Sequence, residues 1–145
     1  MNNVSASILI NRPIQQVFDY TVLPQNGIHF IPHLKENNNI KPLQAGIGQT
    51  FDWVYSVAGI PMKGSAKVVV YNSPHQFVLS TTGEIISTWT FSFKNESNEV
   101  KVTLTIDYTF EQNSLKKIVN RLFINTYNEK AVQDTLENLK VQLES

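Results

Sequence analysis

From residue 51 to residue 110, apolar side chains fall on every second position in one segment after another. Phe51, Trp53, Tyr55 and Val57 share one face, with Asp52, Val54 and Ser56 on the other. Met62, Gly64, Ala66, Val68 and Val70 continue the pattern, followed by Phe77, Leu79 and Thr81. Next come Ile85, Ser87, Trp89, Phe91 and Phe93, then Val100, Val102, Leu104, Ile106, Tyr108 and Phe110. A period of two means strands with one dry and one wet face. Ala58-Gly59-Ile60-Pro61, Asn72-Ser73-Pro74-His75 and the polar residues 95–98 are the turns between them. An antiparallel meander with a single apolar face has to cover that face with something else.

The cover comes from both ends of the chain. Val4, Ala6, Ile8 and Ile10 form a first strand, stopped at Asn11-Arg12-Pro13. Ile14, Val17, Phe18 and Thr21 then follow helical spacing, which predicts a short helix over 13–22, and a second around 25–30. Residues 33–48 are the least regular: Asn37-Asn38-Asn39 reads as a polar loop, with a short strand over 40–45 and a turn at Gly46-Ile47-Gly48. Residues 113–145 read as one long helix, capped by Asn113 or Ser114, with Leu115, Ile118, Leu122, Leu136 and Leu143 on one side. At 1.5 Å per residue it would be about 45 Å long, too long for a neighbouring helix of average length to cover. The sheet is the surface broad enough to receive it.

The chain reads as a single domain over 1–145, large enough to bury a core. Apolar residues make up 41% and charged residues 17%, which argues against disorder. Twelve Lys plus Arg balance twelve Asp plus Glu, so no bulk charge favours nucleic acid or an anionic membrane. The absence of cysteine excludes disulfides, thiolate metal sites and cysteine nucleophiles. No basic-then-apolar leader opens the chain, and no window approaches the roughly 18 apolar residues of a membrane span. The expectation is a cytoplasmic protein without stable membrane insertion, a monomer or a homodimer.

The order of elements, with Asn-Arg-Pro-Ile-Gln-Gln-Val-Phe-Asp-Tyr at 11–20 and Gly-Ile-Gly-Gln-Thr at 46–50, resembles a known family. So do Gly83 followed by Thr88-Trp89-Thr90-Phe91, the strand at 102–108, and Leu136-Glu137-Asn138-Leu139-Lys140. The resemblance is to the polyketide cyclase/dehydrase-like (SRPBCC) branch of the START/Bet v 1 superfamily, and it runs over essentially the whole chain. It implies an α+β helix-grip fold: a curved seven-stranded antiparallel sheet around a long C-terminal helix, with two short helices after the first strand and a cavity between. It further implies a hydrophobic ligand, and in some members cyclase or aromatase activity. No catalytic residue of the enzymatic members matches a position here.

The inner faces mix bulky side chains (Trp53, Tyr55, Trp89, Phe91, Phe93, Tyr108) with small ones (Gly64, Ala66, Thr81, Ser87). Either the large neighbours fill the gaps or a cavity remains. If it remains, the expected lining is Phe30, Trp53, Tyr55, Ala66, Ser87, Trp89, Phe91, Tyr108 and Leu122, with Asn125 and Glu129 as polar contacts. In a continuous helix Asn125 and Glu129 fall on the arc of Ile118, Leu122 and Leu136. They would face a pocket there, or the helix bends and both reach solvent. The basic residues Lys116, Lys117 and Arg121 precede the acidic Asp134, Glu137 and Glu144, which is a solvated face or an anionic contact near the helix start.

Other chemistry is thin. His29 and His33 stand four apart, but Pro32 lies between them, so no metal site and no cofactor are expected. His29 and Phe30 fit the mouth of a pocket better. Asp52, Lys101 and Asp107 fall on the wet face, leaving Tyr55, Tyr108, Glu129 and Glu84 for acid–base work. Three readings result: a carrier or sensor of a hydrophobic or amphipathic small molecule, lipid- or polyketide-like; a cyclase or dehydratase using the same cavity; or an interaction module using the wet sheet face at Val54 and Val69.

Overall fold

The computed structural model describes residues 2–109, 121 and 128–145. Its elements are β1 (Asn2–Ile10), α1 (Ile14–Thr21), α2 (Pro24–Gly27), β2 (Leu34–Lys41), β3 (Thr50–Val57), β4 (Ile60–Asn72), β5 (Gln76–Gly83), β6 (Ile86–Glu96), β7 (Glu99–Thr109) and α3 (Glu129–Glu144). The strands form one antiparallel seven-stranded sheet in the order β1-β7-β6-β5-β4-β3-β2. β2 to β7 run as a meander and β1 closes against β7, so the strand nearest the N-terminus lies beside the last. The helix-grip architecture expected from the sequence is present.

The alternation holds in β3, in the central part of β6 and in β7. Phe51, Trp53, Tyr55 and Val57 are buried, as are Ser87, Trp89, Phe91 and Phe93, and Val100, Val102, Leu104, Ile106 and Tyr108. Against this face α1 buries Val17 and Phe18, the latter meeting Tyr71 and Phe93 edge-on at 5.3 and 5.2 Å between ring centroids. α3 buries Ala131, Val132, Thr135, Leu136, Leu139 and Leu143, a stripe at steps of one, three and four that fits one helical face.

Two expectations need correction. The Asn37-Asn38-Asn39 run is strand, not loop. It pairs with β3 through Asn37 to Trp53 and Asn38 to Asp52, with register shifts on either side. Asparagine is a poor strand former, but pairing and side-chain bonds override propensity: Asn37 Nδ2 donates to the Pro24 carbonyl at 2.8 Å and Asn39 Nδ2 to Asp52 at 2.8 Å.

The terminal helix also differs from the expectation. Asn128 is extended (φ −99°, ψ −172°), so no single helix runs through residues 113–145. Asn128 Oδ1 accepts from the Ala131 amide at 3.2 Å, an N-cap worth about 1 kcal/mol. Glu129 occupies the first turn and is exposed, where a carboxylate meets the positive end of the helix dipole. It is not part of a buried stripe. The expected cap at Asn113 or Ser114, together with Leu115, Ile118, Leu122 and Asn125, lies outside the described residues. Arg121 is helical and exposed.

Candidate functional site

The alternation that buries one face of β3 to β6 also builds the floor of a cavity. Phe51, Trp53 and Tyr55 of β3, Ala66 of β4, Thr81 of β5 and Trp89 and Phe91 of β6 all border it. Its roof is the joint between α1 and α2 and the turn beyond, from Thr21 to Pro24 with Gly27, Phe30 and Ile31. Leu34 and Asn37 of β2 close the side. The volume is about 50 Å³. That exceeds the roughly 10–15 Å³ one water needs and falls well below the roughly 300–1,000 Å³ of pockets that take drug-sized ligands.

The small and bulky positions resolve differently along the sheet. Gly64 lies directly across from Trp53, and a Cβ there would stand 2.8 Å from Trp53 Cε2 and closer still to Trp53 Cζ2 and the Thr82 carbonyl. The indole thus occupies the space a side chain at 64 would take. Its Nε1 donates to the Ser65 carbonyl at 3.0 Å, and its ring meets Tyr55 edge-on at 5.4 Å. Ala66 and Thr81, paired across β4 and β5, are where space remains.

The polar groups of the floor are largely consumed among themselves. Trp89 Nε1 donates to Ser87 Oγ at 3.1 Å, Ser87 Oγ lies 2.6 Å from Thr81 Oγ1, and Thr81 Oγ1 reaches the Ile85 carbonyl at 3.1 Å. One assignment satisfies all three donors: indole to serine, serine to threonine, threonine to carbonyl. In the roof, Thr21 Oγ1 donates back to the Val17 carbonyl at 2.8 Å. Asn37 is different. Its Nδ2 is used by Pro24, while its Oδ1 is shielded from solvent and has no partner among the described residues. An unmet buried acceptor costs about 1–3 kcal/mol.

Of the residues expected to line a cavity, Phe30, Trp53, Tyr55, Ala66, Trp89 and Phe91 do so. Ser87 is buried behind Trp89, joined to it by one hydrogen bond, and does not border the space. Tyr108, paired with Ser87 across β6 and β7, is also buried and outside it, and burial pushes its phenol well above the ordinary range. Glu129 and Glu84 are exposed and lie away from the cavity, so the expected tyrosine–carboxylate pairing is not assembled around it. His29 is exposed and does not border the cavity, whereas its neighbour Phe30 does. Leu122 and Asn125 fall outside the described residues.

Sequence reasoning missed Asn37, hidden in a polar run, and the roof positions Val22, Leu23, Pro24 and Gly27, for which periodicity carries no signal. Phe51, Phe77 and Leu79 were in the right phase and also line the space. Among the described residues, no three His, Asp or Glu side chains converge, and no helix is long and apolar enough to cross a membrane.

Several solved structures share this architecture at low sequence identity. TTHA0849 from Thermus thermophilus superposes with a TM-score of 0.80 at 14% identity, covering 99% of this chain and 97% of that one. BH1534 from Bacillus halodurans gives 0.71 at 16% identity, covering 100% and 98%. Ara h 8.0201 gives 0.70 at 11% identity, covering 99% and 97%. At these identities the likeness is one of fold. Among curated protein sequences none matches the chain. The sequence model of the family described as polyketide cyclase / dehydrase and lipid transport matches residues 1–144, and the chain belongs to that family.

Proposed function

We propose that this protein binds a hydrophobic or amphipathic small molecule, lipid- or polyketide-like, in the cavity between β3–β6 and the α1–α2 roof. The observation that carries the reading is the character of the lining. Among the described residues it contains no Lys, Arg, His, Asp or Glu, and every strand of the floor except β4 contributes aromatic rings, with Phe30 adding one from the roof. Apolar burial supplies the affinity in such a site, and a few polar atoms set orientation. Membership of a family whose description includes lipid transport supports the same reading.

The closed volume is too small for a lipid, so the ligand enters by lifting the roof. α2 is a single turn, and Phe30, which follows it, is held from outside by Asn138 Nδ2 on its carbonyl at 3.2 Å. A cyclase or dehydratase reading needs an acid–base pair beside the ligand. Among the described lining residues Tyr55 is the only ionisable side chain, so binding is the better-supported function.

The test uses N-phenyl-1-naphthylamine, which brightens in apolar surroundings, and native mass spectrometry of the protein purified from its host. Wild type should bind the probe, and Ala66→Phe, which fills the space between the β4 and β5 floor and the roof, should lose at least about tenfold in affinity while keeping its fold. Equal binding by both proteins, with no retained small-molecule mass, would overturn the reading.

A further inference from the structure

We infer that the ligand is electrically neutral and presents a hydrogen-bond donor, a hydroxyl or N–H, to Asn37 Oδ1. The inference rests on the binding reading above and adds the chemistry of the ligand's polar end.

The amide's orientation is fixed by its partner. The Pro24 carbonyl can only accept, so the atom facing it at 2.8 Å is the NH₂ group. The same Nδ2 lies against Gly27, where an added Cβ would come within 2.8 Å of it. One side of the amide is therefore committed to the α1–α2 joint. The other atom, Oδ1, has almost no accessible surface toward solvent or cavity and accepts from nothing among the described residues, so a ligand reaches it once the α1–α2 roof has lifted. A buried acceptor is satisfied by a donor or remains a standing penalty.

The surroundings do not supply that donor from their hydrogen-bonded groups. The indole N–H groups of Trp53 and Trp89 are committed to Ser65 and Ser87, and the hydroxyl of Thr21 to Val17. The described lining offers a charge no partner. With no cationic side chain in the described lining, a carboxylate or phosphate would be buried without a counter-ion, and its oxygens would face the lone pairs of Oδ1. An ammonium would gain about 2 kcal/mol from the aromatic faces but would lack the carboxylate needed to offset burial of its charge. A neutral ring or chain ending in a donor meets both conditions, and it leaves the aromatic lining to hold the rest.

Three naphthalenes of one shape separate the contributions: 2-naphthol, 2-methoxynaphthalene and ionised 2-naphthoate, titrated calorimetrically into the full-length protein near neutral pH. Methylation removes only the proton donor. The expected order is naphthol tightest, by about tenfold over the methyl ether, with naphthoate weakest. Asn37→Leu, close in shape, should keep the affinity for the methyl ether and reduce the naphthol advantage to less than about twofold. Equal binding of naphthol and its ether by wild type overturns this inference and leaves the cavity reading intact; so does an undiminished naphthol advantage in Asn37→Leu. If Asn37→Leu does not fold, the wild-type order decides alone. Binding of none of the three overturns both readings.

Discussion

Gly64→Ala puts one methyl group where the floor has no room for it. The backbone at 64 is not left-handed, so alanine would fit the strand conformation and, by restricting the unfolded chain, gain about 0.4–1 kcal/mol. Against this, the new Cβ meets a main-chain carbonyl, Thr82, and the fused ring of Trp53. The carbonyl belongs to β5 and is fixed by strand pairing, so the indole is what can move. Moving it breaks the Nε1 bond to Ser65, about 1 kcal/mol, and pushes the ring toward the cavity. Overpacking of this kind costs typically about 1–3 kcal/mol, and contact with fixed backbone places it at the upper end. The net is about 2 kcal/mol of destabilisation, or roughly 4–8 °C in melting temperature for a chain of this size. Thermal unfolding followed by circular dichroism reads it directly. The same substitution in a Trp53→Phe background, where the second ring is gone, should cost about 1 kcal/mol less, a coupling that a double-mutant cycle isolates. A Gly64→Ala protein that melts with wild type, or one that loses the same amount in both backgrounds, would refute the account of the indole as the occupant of that space.

Asp52 sits on the wet face, where Asn39 and then Ser65 donate to its carboxylate at 2.8 and 2.7 Å and hold its pKa below the ordinary 3.8. A depressed carboxyl stabilises the fold above its unfolded pKa and loses that contribution as the pH falls. The melting-temperature advantage of wild type over Asp52→Asn should therefore shrink between neutral pH and about pH 3; an advantage constant over that range contradicts the assignment. Gln49 is fully buried, with Nε2 on the Pro42 carbonyl at 3.0 Å and Oε1 without a partner among the described residues. Gln49→Leu exchanges a hydrogen bond for relief of an unmet acceptor and should fall within about 1 kcal/mol of wild type in urea unfolding, whereas Gln49→Ala also opens a hole and should cost about 2–3 kcal/mol. Equal losses would show that the orphaned oxygen carries no penalty.

What the sequence revealed depended on where side-chain period and tertiary environment agreed. β3 and β7 along their described lengths, and β6 from Ser87 to Phe93, are buried on one face, so alternation named these inward residues, including Trp53, Trp89 and Phe91. β2 is an edge strand with little apolar content. Its strand character comes from pairing with β3 rather than from its own residues, and Asn37 was unreadable as a cavity residue for that reason. The roof was equally hidden, because Pro24 and Gly27 contribute backbone position and close approach, which leave no hydrophobic period. The terminal helix failed in another way. Helical spacing carries no signal for an extended residue such as Asn128, and Asn128-Glu129 was itself a start signal, a capping side chain followed by an acid in the first turn. Reading it as such would have taken Glu129 out of the interior.

The fastening of α3 bears on how copies of this chain meet. Lys140 Nζ donates to the Leu9 carbonyl at 2.7 Å, and Glu144 accepts from the Asn11 amide at 2.8 Å. These main-chain groups lie at the C-terminal end of the edge strand β1, on the border where a foreign strand could add itself. At the opposite rim β2 carries Lys35, Glu36 and consecutive asparagines, with breaks in register and a left-handed Asn39. One border is engaged by helix side chains at its Leu9–Asn11 end and the other is crooked and hydrophilic, two features that discourage edge-to-edge polymerisation.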